Sequence, residues 1–135
     1  MIPDYYRKPL LFLNYIPIIN LFSWSDAVTS PKKLFWFSSG KKLSLQEFID
    51  CNFLETHQYI KSGICFAEMS PEEILSAVQE RYYRMERNYQ EPPRAARQQE
   101  QFWANLRSHP NYSRLHGWTH PKARVSQWWL DWVLE

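Results

Sequence analysis

Leu10-Leu11-Phe12-Leu13, running into Asn14-Tyr15-Ile16-Pro17, is the stretch on which the reading of the chain turns. Four apolar residues without polar alternation read as a strand buried on both faces, the kind found inside a parallel sheet. Only nine residues, the first methionine included, precede this run. A domain rarely opens on an interior strand, so the sequence is expected to be the tail of a larger α/β protein. Beyond the strand, the stretch from Asn14 to Lys33 reads as a long loop closed by Pro31-Lys32-Lys33.

Working outward, Leu34-Phe35-Trp36-Phe37 forms a second apolar run between Pro31 and Gly40. Ser44 and Glu47 then make a capping box, with Leu43 and Phe48 at the staple positions, and predict a helix ending near Asn52 or Leu54. Gly63-Ile64-Cys65-Phe66-Ala67 reads as a third strand. Ser70, Pro71 and Glu73 give a still clearer helix start, stapled by Met69 and Ile74. The apolar positions Ile74, Leu75, Val78, Tyr82 and Met85 keep helical spacing toward Tyr89. Glu91-Pro92-Pro93 ends that segment, and a further helix is predicted from about Arg94 to Arg107, with Phe102, Trp103 and Leu106 on one side. A polar loop, 108–122, leads to a last helix. Its stripe of Val125, Trp128, Trp129, Trp132 and Val133 must pack on something.

This order predicts one α/β domain over 1–135: a parallel-leaning sheet of about three strands with flanking helices in residues 1–90, and a helical C-terminal extension over 91–135. A chain of 135 residues suffices for one core, and 44% hydrophobic residues exclude a disordered composition. Aromatic residues, at 17%, are in surplus and point to a partner surface more than to ligand stacking. A net charge of +2 argues against nucleic acid as a partner. Asp4 and Pro9 break any signal-peptide pattern, and the apolar stretch from Leu10 to Phe22 is too short and interrupted to span a bilayer, which leaves peripheral membrane contact open. Cys51 and Cys65 read as reduced, buried thiols of a cytoplasmic protein.

Chemistry-bearing patterns are few. His116 and His120 have i, i+4 spacing, with His109 near, but Gly117 and Pro121 break the helix that would make such spacing useful, so no metal site is expected. Neither cysteine has a basic neighbour, and no nucleophile elbow is present. Glu72 and Glu73 are accounted for by capping. Arg81, Arg84, Arg87, Arg94 and Arg97 interleave with Glu80, Glu86 and Glu91 and read as a salt-bridged solvent face. The stretch from Asn14 to Lys33 is different. It follows the carboxyl end of an apparent parallel strand, where open α/β sheets bind ligands. Asn14, Ser23 and Ser25 offer hydrogen bonds for sugar hydroxyls, Trp24 a ring for stacking, and Lys32 and Lys33 cations for a diphosphate.

Ile2-Pro3, Arg7-Lys8-Pro9-Leu10, Phe12-Leu13-Asn14-Tyr15-Ile16-Pro17, Trp24-Ser25 and Pro31-Lys32-Lys33-Leu34 follow one another in an order that resembles the C-terminal part of a family of bacterial glycosyltransferases associated with surface-polysaccharide loci. The likeness continues through Leu45-Gln46-Glu47-Phe48-Ile49, Gly63-Ile64, Glu68 and Ser70-Pro71-Glu72-Glu73-Ile74, and fades after Tyr89. The resemblance implies a GT-B architecture whose Rossmann-like C-terminal half binds a nucleotide-sugar donor, retaining or inverting, without a metal or other cofactor. It implies that Asn14, Ser23, Trp24, Ser25, Lys32 and Lys33 line the donor side, and that Glu68, at a strand end, holds ribose hydroxyls. The glycine-and-serine turn that such enzymes carry just before the Ile2-Pro3 equivalent is absent, and so is the acceptor domain. The chain is therefore expected to be inactive alone and to meet its glycan acceptor only when completed by an N-terminal domain. The alternative is a stand-alone interaction module that docks a partner subunit through Trp128, Trp129 and Trp132.

Overall fold

The computed structural model describes residues 9–51, 53, 55–116 and 118–135. The readings that concern Met1 to Lys8, a helix end at Asn52 or Leu54, and Gly117 lie outside the described residues.

Three parallel strands form the main sheet, in the order β1-β2-β5. β1 is Leu10–Tyr15, β2 is Ala27–Pro31 and β5 is Arg124–Val125. β2 lies in the middle, its Val28 and Thr29 opposite Leu11 and Phe12 on one side and opposite Arg124 and Val125 on the other. Between β1 and β5 in the chain come β3 (Lys33–Trp36) and β4 (Ile64–Ala67), which pair antiparallel with each other. The helices are α1 (Leu45–Asp50), α2 (Thr56–Lys61), α3 (Pro71–Arg84), α4 (Pro93–Arg107), α5 (Tyr112–Leu115) and α6 (Gln127–Val133).

The mixed α/β class with a three-stranded parallel sheet and flanking helices is as read from the sequence, but its strands are not all the ones expected. Only β1 of the three apolar runs enters the parallel sheet; the other two make the antiparallel pair. The stretch read as one long loop contains β2, the most buried strand of all, every residue of which is buried. β1, in contrast, is half-buried rather than covered on both faces, and Leu13 is exposed. Because β2 carries Thr29 and Ser30 among its inward groups, it lacks the apolar run that marks a core strand.

Both capping boxes form as their spacing predicts. Ser44 Oγ accepts the Glu47 N–H at 3.2 Å while Glu47 Oε1 accepts the Ser44 N–H at 2.8 Å. At α3, Ser70 Oγ accepts the Glu73 N–H at 3.1 Å and Glu73 Oε1 accepts the Ser70 N–H at 2.9 Å. Each pair satisfies amide donors that the first helical turn cannot. α3 ends at Arg84, short of Tyr89, and its apolar stripe does not make the core. Leu75, Val78, Tyr82 and Met85 are exposed, and the buried residues of α3 are Ala77 and Arg81. A small residue lets α3 approach β1 and β2 closely, and a long cation reaches past them.

The segment over 91–135 is not an extension. It supplies β5 to the sheet, and Phe102, Trp103, Leu106, Trp129, Leu130 and Val133 join Ile18, Leu34, Phe48 and Ile49 in one core. Val125 belongs to β5 rather than to the last helix. Trp129 is fully buried and meets Phe48 edge-on at 5.1 Å between centroids, while Trp132 meets Phe35 at 5.6 Å. The tryptophan stripe thus packs on the chain's own core. Cys51 and Cys65 are free thiols and half-buried, not buried. Among the described residues no helix is long and apolar enough to cross a membrane.

Candidate functional site at the carboxyl edge of the sheet

β1 and β2 end side by side, and the turn from β4 into α3 closes over them. Asn14 makes that closure. It adopts a left-handed backbone, φ 54°, which asparagine tolerates better than other residues with a side chain. Its Oδ1 accepts the Met69 N–H at 2.8 Å, and its own N–H donates to Met69 Sδ at 3.3 Å. The end of β1 is thereby tied to the residue that precedes the α3 cap.

Lys32 and Lys33 leave β2 at the same edge. Lys32 Nζ lies 3.0 Å from Glu68 Oε1 and 4.6 Å from the centre of the Phe66 ring. Lys33 Nζ lies 2.5 Å from Glu73 Oε2, with the Trp128 and Trp132 rings about 6 Å away. Burial pushes the Glu73 carboxyl up, but the Lys33 ammonium and the Ser70 backbone N–H bonded to it pull harder, and hold it below the usual carboxylate range. Deeper in, Ser30 Oγ and Ser126 Oγ share a short hydrogen bond, and Trp128 Nε1–H donates to Ser30 Oγ at 3.2 Å.

α3 runs back across the sheet from this edge. Its amino end, with Ser70 and Glu73, stands beside Asn14 and Lys33. Near its other end Arg81 donates to the carbonyls of Leu10 and Asp26, at the starts of β1 and β2. The positive end of the helix dipole accordingly faces the carboxyl edge, where Glu72 and Glu73 in the first turn offset part of it.

Of the expected donor-side residues, the structure brings Asn14, Lys32, Lys33 and Glu68 together and sends Ser23, Trp24 and Ser25 to the opposite edge. The five residues of β2 lie between the two groups, about 16 Å of strand. Ser23 and Ser25 are also fully buried. Trp24 is exposed, and its ring lies tilted against Phe22 with centroids 4.4 Å apart. Ser23 is committed to His116, whose Nδ1 lies 2.5 Å from Ser23 Oγ and whose Nε2 lies 2.5 Å from the Ile19 carbonyl oxygen. A carbonyl can only accept, so Nε2 carries the proton and Ser23 donates to Nδ1. Burial lowers the His116 pKa, only partly opposed by the Ile19 carbonyl, in keeping with this neutral form. Both ring nitrogens of His116 are therefore engaged, and its spacing from His120 is a loop feature. Among the described residues no group of three or more His, Cys, Asp or Glu side chains gathers as a metal site would need.

Sequence reasoning missed Met69 and Glu73 as parts of this edge. The signal was present: Asn14 follows the apolar run Leu10–Leu13, and a helix cap that begins at Ser70 must be held by something. What it could not give was the partner, 55 residues away.

No family model, curated protein or solved structure matches the chain.

Proposed function

We propose that this chain supplies the nucleotide-sugar-binding part of a glycosyltransferase of surface-polysaccharide synthesis, with the acceptor held by a further domain. One observation carries the reading. Asn14, Lys32, Lys33 and Glu68, residues within the stretches that resemble that enzyme family, meet at the carboxyl ends of parallel strands, where open α/β sheets hold their ligands.

The chemistry of the edge supports it. The Lys32–Glu68 pair, whose carboxylate is 64% exposed, is weak as such pairs are, so a diphosphate of higher charge displaces the carboxylate. The lysines then neutralise the leaving nucleoside diphosphate, an electrostatic role and not a proton transfer. Glu68, released from Lys32, is free to accept from ribose hydroxyls. Asn14 is a positioning residue that keeps the β4–α3 turn in place.

Calorimetric titration of uridine diphosphate and guanosine diphosphate tests this. Replacement of both lysines, Lys32→Ala with Lys33→Ala, is expected to weaken binding at least about tenfold, since each charge-assisted contact is worth roughly 1.5–3 kcal/mol. Affinity equal to that of the unaltered chain removes the lysines from the site.

A further inference from the structure

At the opposite, amino edge of the sheet, side chains from four places in the chain surround a pocket of about 290 Å³. Arg81 and Arg84 come from the last turns of α3, and Arg87 and Tyr89 from the turn after it. Lys122 and Arg124 come from β5 and the loop before it. Asp26, Glu86 and Glu91 complete the lining. Five cations against three carboxylates leave an excess of two positive charges.

The carboxylates serve to fix the arginines. Glu91 Oε2 alone accepts from both Arg84 NH1, at 2.7 Å, and Arg124 Nε, at 3.0 Å, and so holds two guanidinium groups side by side. Glu80, outside the pocket, grips Arg84 Nε from behind at 2.8 Å. Asp26 Oδ1 accepts from Arg81 NH2 at 3.1 Å. The Arg84 side chain is only 8% exposed, and it lies over the Tyr89 ring at 5.3 Å. These groups are ordered in advance, which spares a ligand the entropy of ordering them. Among the described residues Arg87 and Lys122 form no ion pair, and both are exposed at this pocket. Arg81, more than nine-tenths buried, has an Nε–H with no acceptor. Buried donors without a partner are rare in native proteins, and this one lies in the wall of the pocket, sealed from solvent.

From this arrangement we infer a second ligand site, distinct from the carboxyl edge, that takes the phosphoryl dianion of a small phosphate ester. Guanidinium groups suit the oxygens of a phosphoryl group, and Arg87 and Lys122, which have no carboxylate partner among the described residues, bring two positive charges to a dianion. The volume lies at the lower end of small-molecule pockets, enough for a phosphate ester with a short carbon skeleton and too little for a nucleic acid. The salt-bridged face expected from the arginine and glutamate spacing is real at Arg84, Glu80 and Glu91. At Arg84 and Glu91 it is the wall of a pocket rather than a solvated surface.

The inference does not depend on the donor reading, and its test keeps the two apart. Inorganic phosphate and glycerol 3-phosphate are titrated into the chain at neutral pH, together with its variants and with vesicles of phosphatidic acid in parallel. Arg87→Gln with Lys122→Gln removes two unpaired, exposed cations and should leave the melting temperature of the free protein unchanged. It should weaken binding of both small phosphates about tenfold or more. Lys32→Ala with Lys33→Ala should leave that binding as it was. Absence of small-phosphate binding, binding that the Arg87/Lys122 variant does not alter, or loss only in the Lys32/Lys33 variant overturns the assignment. So does binding to the vesicles without binding to glycerol 3-phosphate.

Discussion

Ser23 and His116 show how differently one residue reads in sequence and in space. A serine in a polar stretch looks available to a ligand, but 93 residues on a histidine claims its hydroxyl, and both are sealed from solvent. The pair has a pH consequence. Burial lowers the folded pKa of His116 below the usual 6.5, so the unfolded chain takes up a proton more readily. The stability of the neutral histidine is complete above about pH 6.5 and drains away as the pH falls below that value, until the depressed folded pKa is passed. Urea midpoints at neutral pH and at about pH 5.5 should therefore drop on acidification. The drop should shrink in His116→Gln, which keeps one donor and one acceptor. The lowered carboxyl groups Glu73 and Glu91 act in a more acidic range, below 4.5. An equal drop in both proteins would take His116 out of the account. Asn14 is the contrasting case: its place after the apolar run of β1 was visible in sequence, whereas the left-handed backbone and the bond to Met69 arise only when β4 folds back.

At the scale of elements, what was legible follows from how local the cause is. A capping box is complete within four residues, and those at Ser44 and Ser70 form as their spacing requires. Ser70→Ala should cost about 1 kcal/mol in the denaturant midpoint, the usual loss for a missing N-cap oxygen. No change would mean that Asn14 and Met69 alone hold the start of α3. β2 was illegible for the opposite reason. Its Thr29 and Ser30 look like loop residues, and only Val28-Thr29 carries a β-branched signal. Its burial is imposed by β1 on one side and β5 on the other. β5 has two residues, too few for any periodicity to register. On α3 the spacing was read properly and the face was not: apolar Leu75, Val78 and Tyr82 point outward, and close packing on the sheet falls to Ala77.

For the whole molecule, part of the aromatic surplus that suggested a partner surface is spent on the core, while Trp24, Phe37, Tyr82, Tyr83 and Trp118 stay exposed. Phe48, Phe102, Trp129 and Trp132 meet edge-on, in arrangements that add about 0.5–1.5 kcal/mol per pair beyond area burial. The C-terminal 45 residues close this core and complete the sheet, so the chain forms one unit in which α3 links two chemically distinct edges. Its amino end meets lysines paired with carboxylates, and its carboxyl end meets an arginine-lined pocket. On the proposed function, the first of these edges receives a nucleoside diphosphate. Amide chemical-shift mapping by NMR, during titration with uridine and guanosine diphosphates, addresses it most directly. Shifts are expected to centre on Asn14, Lys32, Lys33, Glu68 and Met69 and to be absent from Ser23 to Ser25. Shifts confined to Ser23–Ser25 and the arginine pocket, or none with either nucleotide, would contradict it.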